Sequence, residues 1–121
     1  MLQSLGVQGG QRLLDIGCGR GDDVRKTAHP VGDSGRVIGL DSSQAMIAEA
    51  QKRSEGWTLP VEFILGDAEK LDFPSESFDA CRSERTLIHL NAGQSLDEIT
   101  RVTQPGGRLV VLWRALAAQR G

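Results

Sequence analysis

Residues 13–23 read LLDIGCGRGDD: an apolar run, then glycines at alternate positions, Gly17, Gly19 and Gly21, with Asp15 before them and Asp22 and Asp23 after. Glycines at such a junction let backbone come close to a ligand. A tight strand-to-helix turn would use them as well, and a short glycine pattern alone does not choose between the two. The neighbours narrow the chemistry. A dinucleotide fingerprint needs glycine where Asp22 stands, and a phosphate loop needs lysine followed by serine or threonine, which the stretch lacks. The surrounding carboxylates would repel a phosphate. The ligand that suits this loop carries positive charge, or has ribose hydroxyls and no phosphate.

Further acids fall at matching places. Asp41 closes the apolar run RVIGL twenty positions after Gly21, where an acid can accept hydrogen bonds from ribose hydroxyls. The same aspartate can serve as a strand-end carboxylate or helix cap. Asp67 closes VEFIL in the same way and can accept from an exocyclic amine or simply shape a turn. Arg82 and Ser83 follow the run FDAC. His89, in TLIHL, is the one residue here positioned as a general base, and it can equally be a pocket-wall histidine; geometry must precede such an assignment. His29, before Pro30, reads as exposed, and Glu84 and Arg85 as pocket-lining or solvated.

These residues need elements to hold them. Arg12–Ile16 reads as a buried strand that the glycines stop. Asp22 or Asp23 can cap a short helix, which His29-Pro30 ends. Residues 36–40 form a second strand. Ser42 or Ser43 caps a helix with Met46, Ile47 and Ala50 on its apolar face, stopped at Gly56. Residues 61–65 are a third strand, 78–82 a weaker fourth and 109–113 a fifth, the last preceded by a helical stripe of Leu96, Ile99 and Val102 and by Pro105-Gly106-Gly107. Short strands without polar alternation imply burial on both faces, hence a doubly wound α/β fold with a parallel sheet. The residues that invite chemistry all sit at strand carboxyl ends, where such sheets bind ligands.

Composition removes several classes of function. The 121 residues suit a single domain. A net charge of −2 offers no attraction to nucleic acid or to an anionic membrane surface. No apolar run approaches the roughly 20 residues of a membrane span, and the opening MLQSLGVQGG does not read as a secretory leader. Cys18 and Cys81 have no metal-type spacing and no disulfide framework; both are expected at strand positions as buried, reduced thiols of a cytoplasmic protein, and no metal site is expected.

Four segments in order, LLDIGCGRG, VIGLDSSQAMI, FILGDAEKLDFPSESFD and ITRVTQPGGRLVVLW, resemble the class I S-adenosylmethionine-dependent methyltransferases, in particular the small-molecule branch of ubiquinone and menaquinone biosynthesis. The resemblance covers residues 11–113. It implies a Rossmann-like sheet ordered 3-2-1-4-5 and S-adenosylmethionine as cofactor. Gly17, Cys18, Gly19 and Gly21 would lie against its methionine part, and Asp15 would help to hold the amino group. Asp41 would bind the ribose, Ser42 and Met46 would border the adenine, and Asp67 with Ala68 would read the adenine amine. The backbone around Arg82 and Ser83 would face the methyl group. The cofactor is a sulfonium with an ammonium and no phosphate, which suits a loop surrounded by acids. Transfer is an in-line displacement that positioning can catalyse, with His89 as the candidate base.

The sequence departs from this family at its ends. Members usually carry helices before the first strand, and after the fifth another helix and an antiparallel hairpin. Here residues 1–10 and 114–121 stand in those places. The expectation is a single cofactor-binding core lacking the hairpin, acting on a small molecule, or alternatively a non-catalytic core or fragment of a longer methyltransferase that binds S-adenosylmethionine or S-adenosylhomocysteine. A nicotinamide-dependent oxidoreductase shares the fold class, but Asp22 counts against it. The fifth strand would be an apolar edge, which invites pairing in a homodimer.

Overall fold

Five strands form one sheet: β1 (Arg12–Ile16), β2 (Arg36–Asp41), β3 (Val61–Leu65), β4 (Phe78–Arg85) and β5 (Thr103–Trp113), ordered β3-β2-β1-β4-β5. These are read from a computed structural model that describes residues 9–22, 24, 25, 28, 32, 34–58, 60–85 and 92–113. All four pairings are parallel, and no antiparallel hairpin joins the sheet among the described residues. The central strands explain the arrangement. In β1 the residues Leu13, Leu14, Asp15 and Ile16 are all buried, as are residues 37–40 of β2, so both faces of the sheet are covered. Each buried Leu, Ile or Val there contributes roughly 1.5–3 kcal/mol.

Two apolar layers result. On one face Leu13, Val37, Phe63 and Ala80 pack with Val24 and Ala28 from the helical residues after β1, and with Ile47 and Ala50 of helix α1 (Gln44–Arg53). On the other, Leu14, Ile16, Ile38, Leu40 and Cys81 pack with Ala68, Leu71 and Phe78, and with Ile99 and Val102 of helix α2 (Ala92–Val102). Crossovers from β1 and β2 thus lie on one face and the crossover from β4 on the other. The direction in which successive strands are added reverses between β1 and β4, the position at which doubly wound sheets hold ligands.

Of the two serines expected to cap α1, Ser43 does so: its Oγ accepts from the Met46 N–H at 3.3 Å. Other expected details are corrected. Met46, in the first turn of α1, does not join the apolar face; it is 41% exposed, and Ile47 and Ala50 form the buried face. Asp22 is not the cap of the helix after β1. The first i to i+4 bond there runs from the Arg25 N–H to the Gly21 carbonyl, so Gly21 holds the cap and Asp22 the first helical position; Asp23, His29 and Pro30 lie outside the described residues. Cys18 sits in the glycine loop, not in a strand.

The fifth strand also differs. Pro105-Gly106-Gly107 does not separate helix from strand but lies within β5 as a bulge: Phe78 pairs with Thr103 and Ala80 with Arg108, so a two-residue step on β4 faces a five-residue step on β5. A proline cannot continue the ladder, and a bulge is where a sheet tolerates it.

Candidate functional site

The glycine loop is fixed by β2. The N–H groups of Gly17 and Cys18 both donate to the Leu40 carbonyl, at 2.7 and 3.1 Å. The next residue's N–H, that of Gly19, donates to Asp41 Oδ2 at 3.0 Å, and the Gly21 N–H donates to the Cys18 carbonyl at 3.0 Å. The N–H groups of Gly17, Cys18, Gly19 and Gly21, which an anion-binding loop would turn toward a phosphate, are therefore used within the fold. Asp41 Oδ1 accepts from the Ser43 N–H at 2.9 Å, so one carboxylate ties the loop to the start of α1.

Two glycines of the loop are required for different reasons. Gly21, at φ +86°, faces Phe63, whose ring carbons would stand 2.7 Å from a Cβ added there. Gly19, at φ +57°, would present a Cβ to open space, with no atom within 4 Å. Packing against Phe63 accounts for Gly21; at Gly19 the positive φ favours glycine, and the space beside its backbone is open.

The electrostatics are acidic. Burial pushes the Cys18 thiol up to about 12, and the negative fields of Asp15 and Asp41 push it the same way. That thiol lies where a β2 side chain would otherwise be: a Cβ on Gly39 would meet Cys18 Cβ and Sγ at 3.0 Å. Asp15 is itself buried and pairs with Arg82 of β4, Nη1 to Oδ1 at 2.9 Å, with side chains 2% and 9% exposed for arginine and aspartate. At the end of β3, Asp67 is exposed and accepts through Oδ1 from the Glu69 N–H at 2.9 Å, shaping a turn that buries Ala68 against the layer under α2.

Residues 13–107 match the family described as methyltransferase domain. The chain belongs to this family. It is similar to an uncharacterized 37.1 kDa protein in a transposon of Streptomyces fradiae, 46% identical over 92% of this chain and 32% of that protein. It is also similar to the ubiquinone/menaquinone biosynthesis C-methyltransferase of Pseudomonas fluorescens, 39% identical over 88% of this chain and 43% of that one. Among solved structures, an S-adenosylmethionine-dependent methyltransferase from Mesorhizobium loti superposes with a TM-score of 0.75 at 33% identity, over 91% of this chain and 49% of the other. The chain spans less than half the length of each of these proteins.

Within this methyltransferase domain, the glycine loop with Asp41 and Ser43 forms one continuous hydrogen-bonded unit, joined through Gly39 and Phe63 to the core. Ser42 is exposed beside it, and Met46 lies exposed one helical turn away. Asp15 and Arg82 lie side by side in the register of β1 and β4. Arg82 and Ser83 are not in a loop after a strand: β4 continues to Arg85, because the pairing with β5 carries it on, and both side chains are buried. His89 lies outside the described residues. Among the described residues no group of three or more His, Cys, Asp or Glu side chains is arranged to hold a metal ion, and no helix is long and apolar enough to cross a membrane.

Sequence reasoning missed the partnership of Asp15 with Arg82. The signal was available only through register, since the two residues become neighbours only when two strands far apart in sequence pair. It missed as well the orphaned hydroxyl of Ser83. That Oγ is fully buried with no hydrogen-bond partner, and Ser95 Oγ of α2 shares that condition.

Proposed function

We propose that the chain binds S-adenosylmethionine at the carboxyl ends of β1 and β2 and serves transfer of its methyl group to a small-molecule acceptor. The observation that carries this reading is the use of the loop's N–H groups on Leu40, Asp41 and Cys18, with two carboxylates beside the loop. Such a site disfavours phosphate and favours a cation that bears ribose hydroxyls. The residues present fit the cofactor: Gly19 has open space above it, and Asp41 retains lone pairs beyond those that hold Gly19 and Ser43.

Bound there, the cofactor would supply an electrophilic methyl group on a positively charged sulfur. The chain's own part is binding and orientation. In this reading Asp41 accepts from the ribose hydroxyls, Ser42 and Met46 border the adenine, Asp67 and Ala68 meet its amine edge, and Gly17, Cys18 and Gly19 lie under the methionine part. Asp15 faces the amino group, and the β4 backbone at Arg82 and Ser83 flanks the methyl. His89 is proposed as the residue that removes a proton from the acceptor. Acceptor and methyl need only be held in line at about 3 Å. The similarity to a protein named as a C-methyltransferase of ubiquinone and menaquinone biosynthesis supports a small molecule of the quinone class as the acceptor. Pairing of a second copy along the β5 edge is a separate proposal, which sedimentation of the purified chain tests.

Calorimetric titration with S-adenosylmethionine and S-adenosylhomocysteine tests the reading. Binding on the order of micromolar is expected, weakened about tenfold or more in Asp41→Ala, since a hydrogen bond to a charged group contributes roughly 1.5–3 kcal/mol. A melting curve of the variant separates lost binding from lost folding. A folded wild-type chain that binds neither ligand would overturn the proposal. Methyl transfer to small molecules of the quinone class is then assayed separately.

A further inference from the structure

A buried ion pair needs a reason. Arg82 and Asp15 are direct register partners on β4 and β1, both nearly inaccessible, and they straddle the place where the sheet reverses its winding. Stability alone is a poor explanation. Well-packed apolar residues of similar volume usually replace a buried pair at little or no cost, whereas loss of one partner leaves the other charge uncompensated. What the pair does provide is a carboxylate of fixed position and offset charge, two residues before the glycine loop begins at Gly17. The negative field of Asp15 reaches the loop, since it acts on the Cys18 thiol.

We propose that Arg82 is a positioning residue: through its ion pair it fixes the orientation of the Asp15 carboxylate, and so selects ligands that carry a charged amino-acid head. The inference rests on the binding site proposed above and deepens it. Without the guanidinium, the Asp15 carboxylate would lose the bond from Arg82 Nη1 that holds Oδ1 in place. It would be free to turn away from the site, and the ligand's ammonium would lose an oriented counter-charge. The adenosine end of the ligand would not be affected, because Asp41 and Asp67 hold their positions through separate hydrogen bonds.

The experiment compares two ligands that share the adenosine thioether but differ in that head: S-adenosylhomocysteine, which has it, and 5′-methylthioadenosine, which does not. Affinities are measured for the wild type and for Arg82→Met, Arg82→Lys and Asp15→Asn, with thermal melts to confirm folding. Arg82→Met and Asp15→Asn are expected to weaken S-adenosylhomocysteine about tenfold or more and 5′-methylthioadenosine less than about twofold, with Arg82→Lys intermediate. Arg82→Lys and Asp15→Asn keep the test decisive if Arg82→Met does not fold. Equal losses for both ligands, or none for either, would assign the pair a structural role and overturn the inference while leaving the binding site standing. A wild-type chain that binds neither ligand would overturn the site and, with it, this inference.

Discussion

A thiol between two carboxylates is a poor nucleophile, and Cys18 is that thiol. Burial and the fields of Asp15 and Asp41 push it up to about 12, while burial pushes Cys81 up to about 11 against the opposing bond from Thr103 Oγ1, 3.0 Å away. At pH 8 the thiolate fraction of Cys18 is then on the order of one in ten thousand, and the thiolate is the reactive form. Neither cysteine of the native chain is expected to react with Ellman's reagent over minutes at pH 8, and both are expected to react in denaturant. Fast labelling of native Cys18 would mean that the loop lifts from β2 often enough to expose it, contrary to the bonds from Gly17, Cys18 and Gly19. The acids around the loop could be read from residue order alone, because they are local to the glycines. The company they keep could not: that Asp41 holds Gly19 and that Asp15 meets Arg82 depends on strands 22 and 67 residues away.

Elements were legible where their signal was local. The bounds of β1 and β3 agree with the apolar runs, and one of the two serines expected to cap α1 does so. β5 was not, because Pro105-Gly106-Gly107 reads as a break and the pairing with β4 turns it into a bulge. That bulge makes two adjacent glycines behave differently. A Cβ on Gly107 would meet the Asp79 and Gln104 carbonyl oxygens at 2.6 and 2.8 Å, and backbone atoms cannot move aside cheaply. Gly106 has open space but a φ of +81°. Gly107→Ala is expected to destabilise by about 2 kcal/mol or more, and Gly106→Ala by about 1 kcal/mol from backbone conformation alone. Urea unfolding of the two variants checks the ranking; equal costs would mean that β5 does not bulge there. On α2, Ser95 Oγ is buried without a partner, so Ser95→Ala forfeits no hydrogen bond and is expected to leave stability unchanged or raise it by up to about 1 kcal/mol.

At the scale of the whole molecule, the sheet is held in register at its centre by two ion pairs of opposite polarity. At the carboxyl end β1 supplies the acid and β4 the base, Asp15 with Arg82. At the amino end the roles reverse: the Arg12 N–H donates to Asp79 Oδ2 at 2.7 Å, and its guanidinium lies 3.4 Å from the same oxygen. A slip that set Arg12 beside Arg82 would oppose like charges, and a one-residue slip would turn every side chain to the wrong face. The strand order followed from the family resemblance, but nothing in the apolar runs announced this pattern, since charge is informative only once the strands are adjacent. Its acid sensitivity has a definite sign. Burial raises the Asp79 carboxyl, yet the Arg12 N–H and guanidinium outweigh it and hold the group below the usual range. A carboxyl lowered on folding contributes fully above its unfolded value of about 3.9 and loses that contribution as pH falls through the folded value. Asp79 is partly exposed, so screening limits the contribution to about 1 kcal/mol. Asp79→Asn is therefore expected to be less stable than the wild type by about that amount at pH 7, with the difference closing below about pH 3. Denaturant midpoints of both proteins from pH 7 to 2.5 measure it. A gap that stays constant over that range would show that Asp79 acts through shape and not through its charge.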